Sequence, residues 1–255
     1  MCRFVAYGGP EIPLENIIIL PRHSLLDQSQ HATEAKLAVN GDGFGMAWYG
    51  DQERPGLYRD VLPAWSDGNL VDLCRMIRSR LFLAHIRAST FGETSRNNCH
   101  PFTYGNWSFM HNGEIADFPR LRRQFEAMLG DAYYTARRGR TDSELFFLLL
   151  LTNGLEVDPL SAVSRTIAQI ETVQGDVAEG NRITTAFSDG HTIYAFRYSG
   201  SDDIPTLHLG TGLDHGGQVL ASEPLDPETG NWTMLEANCL YSLREGLLTH
   251  RPLPG

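Results

Sequence analysis

A chain of 255 residues, 42% hydrophobic and 20% charged, can bury a sizeable core and is too apolar for disorder to be its default state. Its formal net charge of −10 argues against a general affinity for nucleic acid or for anionic membranes. The apolar run Leu145–Leu151 is too short to span a bilayer, and Cys2, Cys74, Cys99 and Cys239 show no CxxC spacing that would suggest a zinc or redox site.

In chain order, the first third reads as strand-rich. A short apolar run, Cys2–Tyr7, ends at Gly8-Gly9, and strands are expected again at Phe44–Tyr49, Leu57–Leu62, Leu81–Thr90 and Trp107–His111. Leu70, Leu73, Cys74 and Ile77 recur at helical spacing and predict a helix over Asn69–Arg80. The middle is helical. Pro119 can open a helix carrying Leu121, Phe125, Met128 and Leu129. Thr141-Asp142-Ser143-Glu144 reads as a capping box before an apolar helix that stops near Asn153-Gly154, and a further helix fits Pro159–Val173. Strands then return at Ile183–Phe187 and Thr192–Tyr198, flanking the turn signal Ser188-Asp189-Gly190, and at Leu207–Leu209, Val219–Ser222, Thr233–Leu235 and Leu240–Leu243. Strands, then helices, then strands predict α+β layers. No repeat or linker divides the chain, so residues 1–255 read as one domain.

Chemistry is concentrated at few positions. Cys2 follows the initiator methionine and is small enough for Met1 to be trimmed. The mature chain would then join a thiol to a free α-amine titrating at about 7.7–8.0, a nucleophile and a base on one residue. A buried, inert strand cysteine is the alternative. Asn112-Gly113 could supply oxyanion donors or form a tight hairpin turn. Arg87, on a mostly apolar strand, needs an anionic partner, either a protein carboxylate or a substrate carboxylate. Asp142 can stabilise a helix start or bind a ligand ammonium. His85, His100 and His111 sit beside apolar neighbours and read as hydrogen-bonded structural histidines and not as catalytic bases. Gly41–Gly45 is no phosphate loop, since no Lys-Ser/Thr follows, and its glycines suit close backbone packing. The basic runs at Arg120–Arg123 and Arg137–Arg140 read as a solvated helix face and loop. Ser222 and Glu223 acquire no role from their neighbours.

In this order Cys2, His85–Thr90, His111-Asn112-Gly113-Glu114-Ile115 and Thr141–Glu144 resemble the class II glutamine amidotransferases, members of the N-terminal-nucleophile hydrolases. The resemblance covers essentially the whole chain. Cys-Arg-Phe at the start, Pro21–Leu25, Gly41–Gly45, Asn98–Tyr104 and Ala221–Leu225 are similar to its stand-alone branch. That branch includes a component of fungal glutathione degradation and the γ-glutamyl hydrolase of ergothioneine synthesis. The resemblance implies a four-layer αββα sandwich of two mainly antiparallel sheets. It also implies Cys2 as nucleophile with its own amine as base, Asn112 and Gly113 at the oxyanion, and Arg87 and Asp142 on the α-carboxylate and α-amino group of the substrate. Thr90, closing the same motif as Arg87, joins them as a substrate-binding residue. Biosynthetic members usually begin Cys-Gly-Ile and carry Trp and His where this chain has Ala88 and Phe91, which reshapes the wall beside Arg87.

The function so implied is hydrolysis of a γ-glutamyl amide, on glutamine or a γ-glutamyl peptide, through a thioester on Cys2, without metal or organic cofactor, in the cytoplasm. Two rivals remain open. One is a glutaminase subunit passing ammonia to a separate synthase. The other is a non-enzymatic, partner-binding relative in which Met1 is retained. Partners expected are the small-molecule substrate and a peptidase or synthase subunit, with a homo-oligomer as a further arrangement.

Overall fold

The computed structural model describes residues 2–34, 38–88, 94–175, 180–199, 204–226 and 231–253. Strands in the first half are β1 (Arg3–Pro13), β2 (Phe44–Trp48), β3 (Gly56–Asp60), β4 (Arg78–Ile86), β5 (Phe102–Tyr104) and β6 (Trp107–Glu114). Those in the second half are β7 (Arg182–Ser188), β8 (Ile193–Ser199), β9 (His208–Thr211), β10 (Gln218–Ala221), β11 (Asn231–Met234), β12 (Cys239–Arg244) and β13 (Leu247–Pro252). Helices are α1 (Glu15–Ile18), α2 (Leu25–His31), α3 (Leu70–Met76), α4 (Phe118–Glu126), α5 (Asp131–Ala136), α6 (Asp142–Thr152) and α7 (Pro159–Gln174).

The strands form a seven-stranded sheet, ordered β11-β9-β10-β1-β4-β2-β3, and a six-stranded sheet, ordered β13-β12-β8-β7-β6-β5. The register recorded within each sheet is antiparallel throughout. Side-chain alternation along each strand then defines three apolar layers. Phe4 and Ala6 from β1, Leu83 from β4, Met110 from β6 and Ala195 from β8 fill the space between the sheets. Val5 and Tyr7, on the other face of β1, meet Ile17 of α1, Leu25 of α2 and Cys74 of α3. Phe109 and Phe187 face the second helical layer of α4, α6 and α7. The expected αββα sandwich of antiparallel sheets is therefore the observed architecture.

Helix α6 explains the apolar run. Ser143 through Leu151 are all buried, because the helix is covered by its sheet, by α5 and by α7, so no polar stripe is needed. Each Leu or Phe buried there contributes about 1.5–3 kcal/mol. Thr141 caps the helix, its Oγ1 accepting from the Glu144 amide at 3.1 Å. Glu144 does not complete the box; its carboxylate accepts instead from the Arg138 and Gly139 amides.

Several elements differ from the sequence expectation. The helix expected to reach Arg80 ends at Met76, where Ile77 turns extended, and Arg78–Arg80 begin β4. Ser79 is buried there, donating to the Tyr49 and Leu81 carbonyls. β4 is assigned only as far as Ile86, and the segment ending at Thr90 passes outside the described residues. Asn112 and Gly113 do not make a hairpin turn. They lie inside β6, opposite Thr184 and Ile183 of β7. Short α1, α2 and α5, the three-residue β5 and the edge strand β13 were not expected.

Candidate active site

Cys2 lies one residue before β1, the middle strand of the larger sheet. Arg3 pairs with Ile86, which sets Cys2 beside the residues that follow β4. The Ala88 amide donates to the Cys2 Sγ at 3.4 Å, and the thiol makes a long contact of 3.6 Å to the Ala88 carbonyl. Alternation puts Cys2 on the face of β1 that carries Phe4 and Ala6, toward the second sheet. Ser222, at the end of β10, closes this strand start: its Oγ accepts from the Phe4 amide at 3.0 Å, and its own amide donates to the Phe4 carbonyl.

Arg87 continues the face of β4 that carries Leu83 and His85, and it is buried. Its amide donates to the Gly43 carbonyl, its carbonyl accepts from the Asp42 amide, and its Nη1 donates to the Asp42 carbonyl at 3.3 Å. Gly43 has φ +111, and a Cβ there would lie 2.6 Å from Cys99 Sγ and 2.8 Å from the Asp60 carbonyl oxygen. The glycine expected to allow close packing does so, beneath Arg87.

On β6, Trp107, Phe109 and His111 face the helices, whereas Ser108, Met110 and Asn112 face the first sheet. Asn112 is fully buried, and neither its Nδ2 nor its Oδ1 has a hydrogen-bond partner among the described residues. Such an orphaned amide costs about 1–3 kcal/mol and calls for an explanation. Gly113 has φ +140, and a Cβ there would stand 1.8 Å from the Arg182 carbonyl oxygen, so only glycine fits.

Asp142 opens α6 over the exit of β6. Its Oδ2 accepts from the Ile115 amide at 3.0 Å, and its Oδ1 accepts from the Ser143 amide at 2.8 Å. The Ser143 hydroxyl also lies 2.9 Å from His111 Nδ1, tying the helix start to the strand that carries Asn112. Cys2, Arg87 and Asn112 thus share the layer between the sheets, with Asp142 at its rim. Thr90 and Phe91 lie outside the described residues.

Electrostatics at the centre are dominated by burial. Desolvation pushes the Cys2 thiol above its ordinary range, opposed by the Ala88 hydrogen bond and by the Arg87 and Arg3 guanidiniums. The thiol therefore keeps its proton at neutral pH and needs a base. Burial drives His85 down to about 3 and His100 well below its ordinary value; it also lowers His111, against the pull of Asp142. His85 and His100 stack with ring centroids 4.1 Å apart. His85 and His111 make hydrogen bonds as expected of structural histidines, at the His111 carbonyl and the Ser143 hydroxyl, whereas neither ring nitrogen of His100 has a hydrogen-bond partner among the described residues.

Arg3 and Glu223, which had no role on sequence grounds, anchor the site from beneath. Both side chains are fully buried and paired at 3.2 Å. Glu223 also accepts from the Thr33 amide and hydroxyl, from the Glu34 amide and from His23 Nε2. Burial alone would raise its pKa, but His23, these amides and Arg3 outweigh it and bring it down to about 2. A charged residue between Cys2 and Phe4 in an apolar run was the available signal for this cluster.

Among the described residues, no group of three or more His, Cys, Asp or Glu is placed to hold a metal ion, and no helix is long and apolar enough to cross a membrane. A family model described as glutamine amidotransferases class-II matches residues 26–209. "Probable glutamine amidotransferase DUG3" of Saccharomyces cerevisiae is 33% identical over 301 residues, covering 99% of this chain and 84% of the yeast protein. A gamma-glutamyl-hercynylcysteine sulfoxide hydrolase of Mycolicibacterium smegmatis is 28% identical, over 99% of this chain and 100% of that protein. The solved structure of a glutamine aminotransferase class-II domain protein from Silicibacter pomeroyi matches with TM-score 0.80 and 37% identity, covering 99% of this chain and 98% of that one. Glutamine PRPP amidotransferase of B. subtilis shares the fold, with TM-score 0.71 at 13% identity over 100% of this chain and 49% of its own.

Proposed function

Because the chain belongs to the class II glutamine amidotransferase family, a family of amidohydrolases, we propose that residues 1–255 act as one domain that hydrolyses a γ-glutamyl amide through a thioester on Cys2. With Met1 removed, the α-amine of Cys2 takes the thiol proton as sulfur attacks the γ-carbonyl. The carbonyl oxygen becomes an oxyanion and receives hydrogen bonds from Asn112 Nδ2 and the Gly113 amide. Collapse breaks the C–N bond, and the ammonium form of the α-amine returns the proton to the leaving nitrogen. Water, deprotonated by the same amine, then attacks the thioester, releasing glutamate and regenerating the thiol. Arg87 holds the substrate α-carboxylate and Asp142 its ammonium, which fixes the γ-carbonyl in register.

The observation that carries this reading is Asn112. A fully buried amide with both polar atoms unpartnered, on the face that looks toward Cys2, suits a site completed by its ligand. A γ-glutamyl peptide or a γ-glutamyl amide of a modified cysteine, with free glutamine secondary, is favoured by likeness to the mycobacterial γ-glutamyl-hercynylcysteine sulfoxide hydrolase and by Ala88 beside Arg87.

Intact mass first establishes that Met1 is removed. Acid quenching during turnover of a γ-glutamyl peptide should then trap a γ-glutamyl adduct on the peptide bearing Cys2, and Cys2→Ala should show neither adduct nor turnover. Equal turnover in Cys2→Ala would refute the mechanism.

A further inference from the structure

A cavity of about 630 Å³ opens where the edge strand β3 of one sheet and the edge strand β5 of the other approach α6, and it contains none of Cys2, Arg87, Asn112 or Asp142. Its volume is in the range of small-molecule sites. Arg54, Arg59 and Arg138 line it against one acid, Glu144. Both Glu144 oxygens are already occupied, by the Arg138 amide at 2.9 Å and the Gly139 amide at 2.6 Å. Asp60, next to Arg59 in sequence, is likewise spent on Arg96 and on the Val61 and Leu62 amides. Arg59 donates through Nη1 to the Cys99 carbonyl at 3.0 Å, which fixes the guanidinium in the wall. No hydrogen bond or ion pair to a described residue engages the guanidinium of Arg54 or of Arg138.

This concentration of positive charge is unusual for a chain whose formal net charge is −10. Several other arginines find acids: Arg120 pairs with Asp117 at 2.6 Å, Arg182 with Glu114 at 2.5 Å, and Arg137 with Glu126. Arg138, from the basic run read as a solvated loop, is exposed as that reading expects and also lines the cavity. Apart from Thr103, the rest of the lining is apolar or aromatic, with Phe102, Tyr104 and Phe147. Guanidinium forks match carboxylate and phosphate geometry, and an aromatic floor suits the carbon frame that carries such groups.

We propose that this cavity is a second ligand site, separate from the γ-glutamyl site, for a small-molecule anion bearing at least two phosphate or carboxylate groups. Arg59 holds one group at the wall, and Arg54 and Arg138 close on the other from the rim. Glu144 supports the site by ordering the Arg138–Gly139 backbone and does not compete for the arginines.

Isothermal titration of the full chain with inorganic pyrophosphate and with citrate tests the assignment. One probe or both should bind with a stoichiometry of one, more weakly as salt rises. Arg54 and Arg138 are exposed, so the double variant R54Q/R138Q should melt and turn over a γ-glutamyl substrate as the parent does, while binding the probes at least about tenfold more weakly. Arg59→Gln should weaken them comparably. Preference for pyrophosphate assigns phosphate and preference for citrate assigns carboxylate. Absence of saturable binding, or binding unchanged in R54Q/R138Q, overturns the proposal. Binding of hexaglutamate but of neither small anion overturns it in favour of a peptide groove.

Discussion

Glu223→Gln perturbs the buried support of the nucleophile without touching the nucleophile. The substitution keeps size and shape but removes the charge that faces Arg3, and it replaces two acceptor oxygens by one. Thr33 and His23 converge on Oε2, whereas Arg3 and the Glu34 amide face Oε1, so one side must lose its acceptor. The cost follows from the carboxyl's titration. Its pKa falls from an ordinary 4.5 to about 2 in the folded protein. Since one pKa unit corresponds to about 1.4 kcal/mol, the folded state gains about 3 kcal/mol at neutral pH from keeping Glu223 ionised. Breaking a buried ion pair from one side costs a similar roughly 3–5 kcal/mol. A depressed pKa stabilises the fold fully above the unfolded value, and that contribution disappears as pH falls through the folded one. The gap between parent and variant should therefore hold at about 3 kcal/mol from pH 7 to about 5 and shrink to roughly 1.4 kcal/mol at pH 3. Urea unfolding followed by circular dichroism at each pH measures it. A gap under about 1 kcal/mol at pH 7, or one that stays level down to pH 3, would refute the linkage argument.

Asn112→Ala separates activity from stability. Turnover should fall by about 10²–10³ through loss of an oxyanion donor. The melting temperature should hold or rise, because two unpartnered buried polar atoms are removed. Steady-state rates and thermal melts on one preparation decide this, and near-normal turnover would take Asn112 out of the reaction. Gly113→Ala should instead destabilise the fold by about 3 kcal/mol, since its Cβ would meet the Arg182 carbonyl oxygen and a positive φ is required. A parental denaturation midpoint would mean that β6 does not hold Gly113 as described.

What was legible in the sequence was local chemistry. Thr141 capping Glu144, the short apolar runs of β1 and β6 and the buried run of α6 each carry their signal within a few residues. Asn112-Gly113 misled because the dipeptide's turn preference is also local, whereas its actual state is set by β7: pairing with Thr184 and Ile183 holds the backbone in the sheet. Gly113 is glycine because the Arg182 carbonyl is close, not because the chain reverses there. Arg3 and Glu223 lie near opposite ends of the chain, and nothing in either neighbourhood announces the other. Glu144 sits at a capping-box position yet serves the Arg138–Gly139 backbone, a partner that spacing cannot name. Helices α1, α2 and α5 are too short for a 3.6-residue period to show, and β13 is mostly exposed on both faces, so no alternation marks it.

His85 and the stacked His100 give the interior beside Cys2 a fixed polarity. Two imidazoles that burial keeps uncharged have permanent dipoles, yet they do not change charge as the surroundings move through the mildly acid and neutral range. Charge that develops on a substrate would meet an environment already oriented, with no reorganisation needed as it forms. These two rings keep the same polarity from mildly acid to neutral solution, so they add no titration of their own to the rate across that interval.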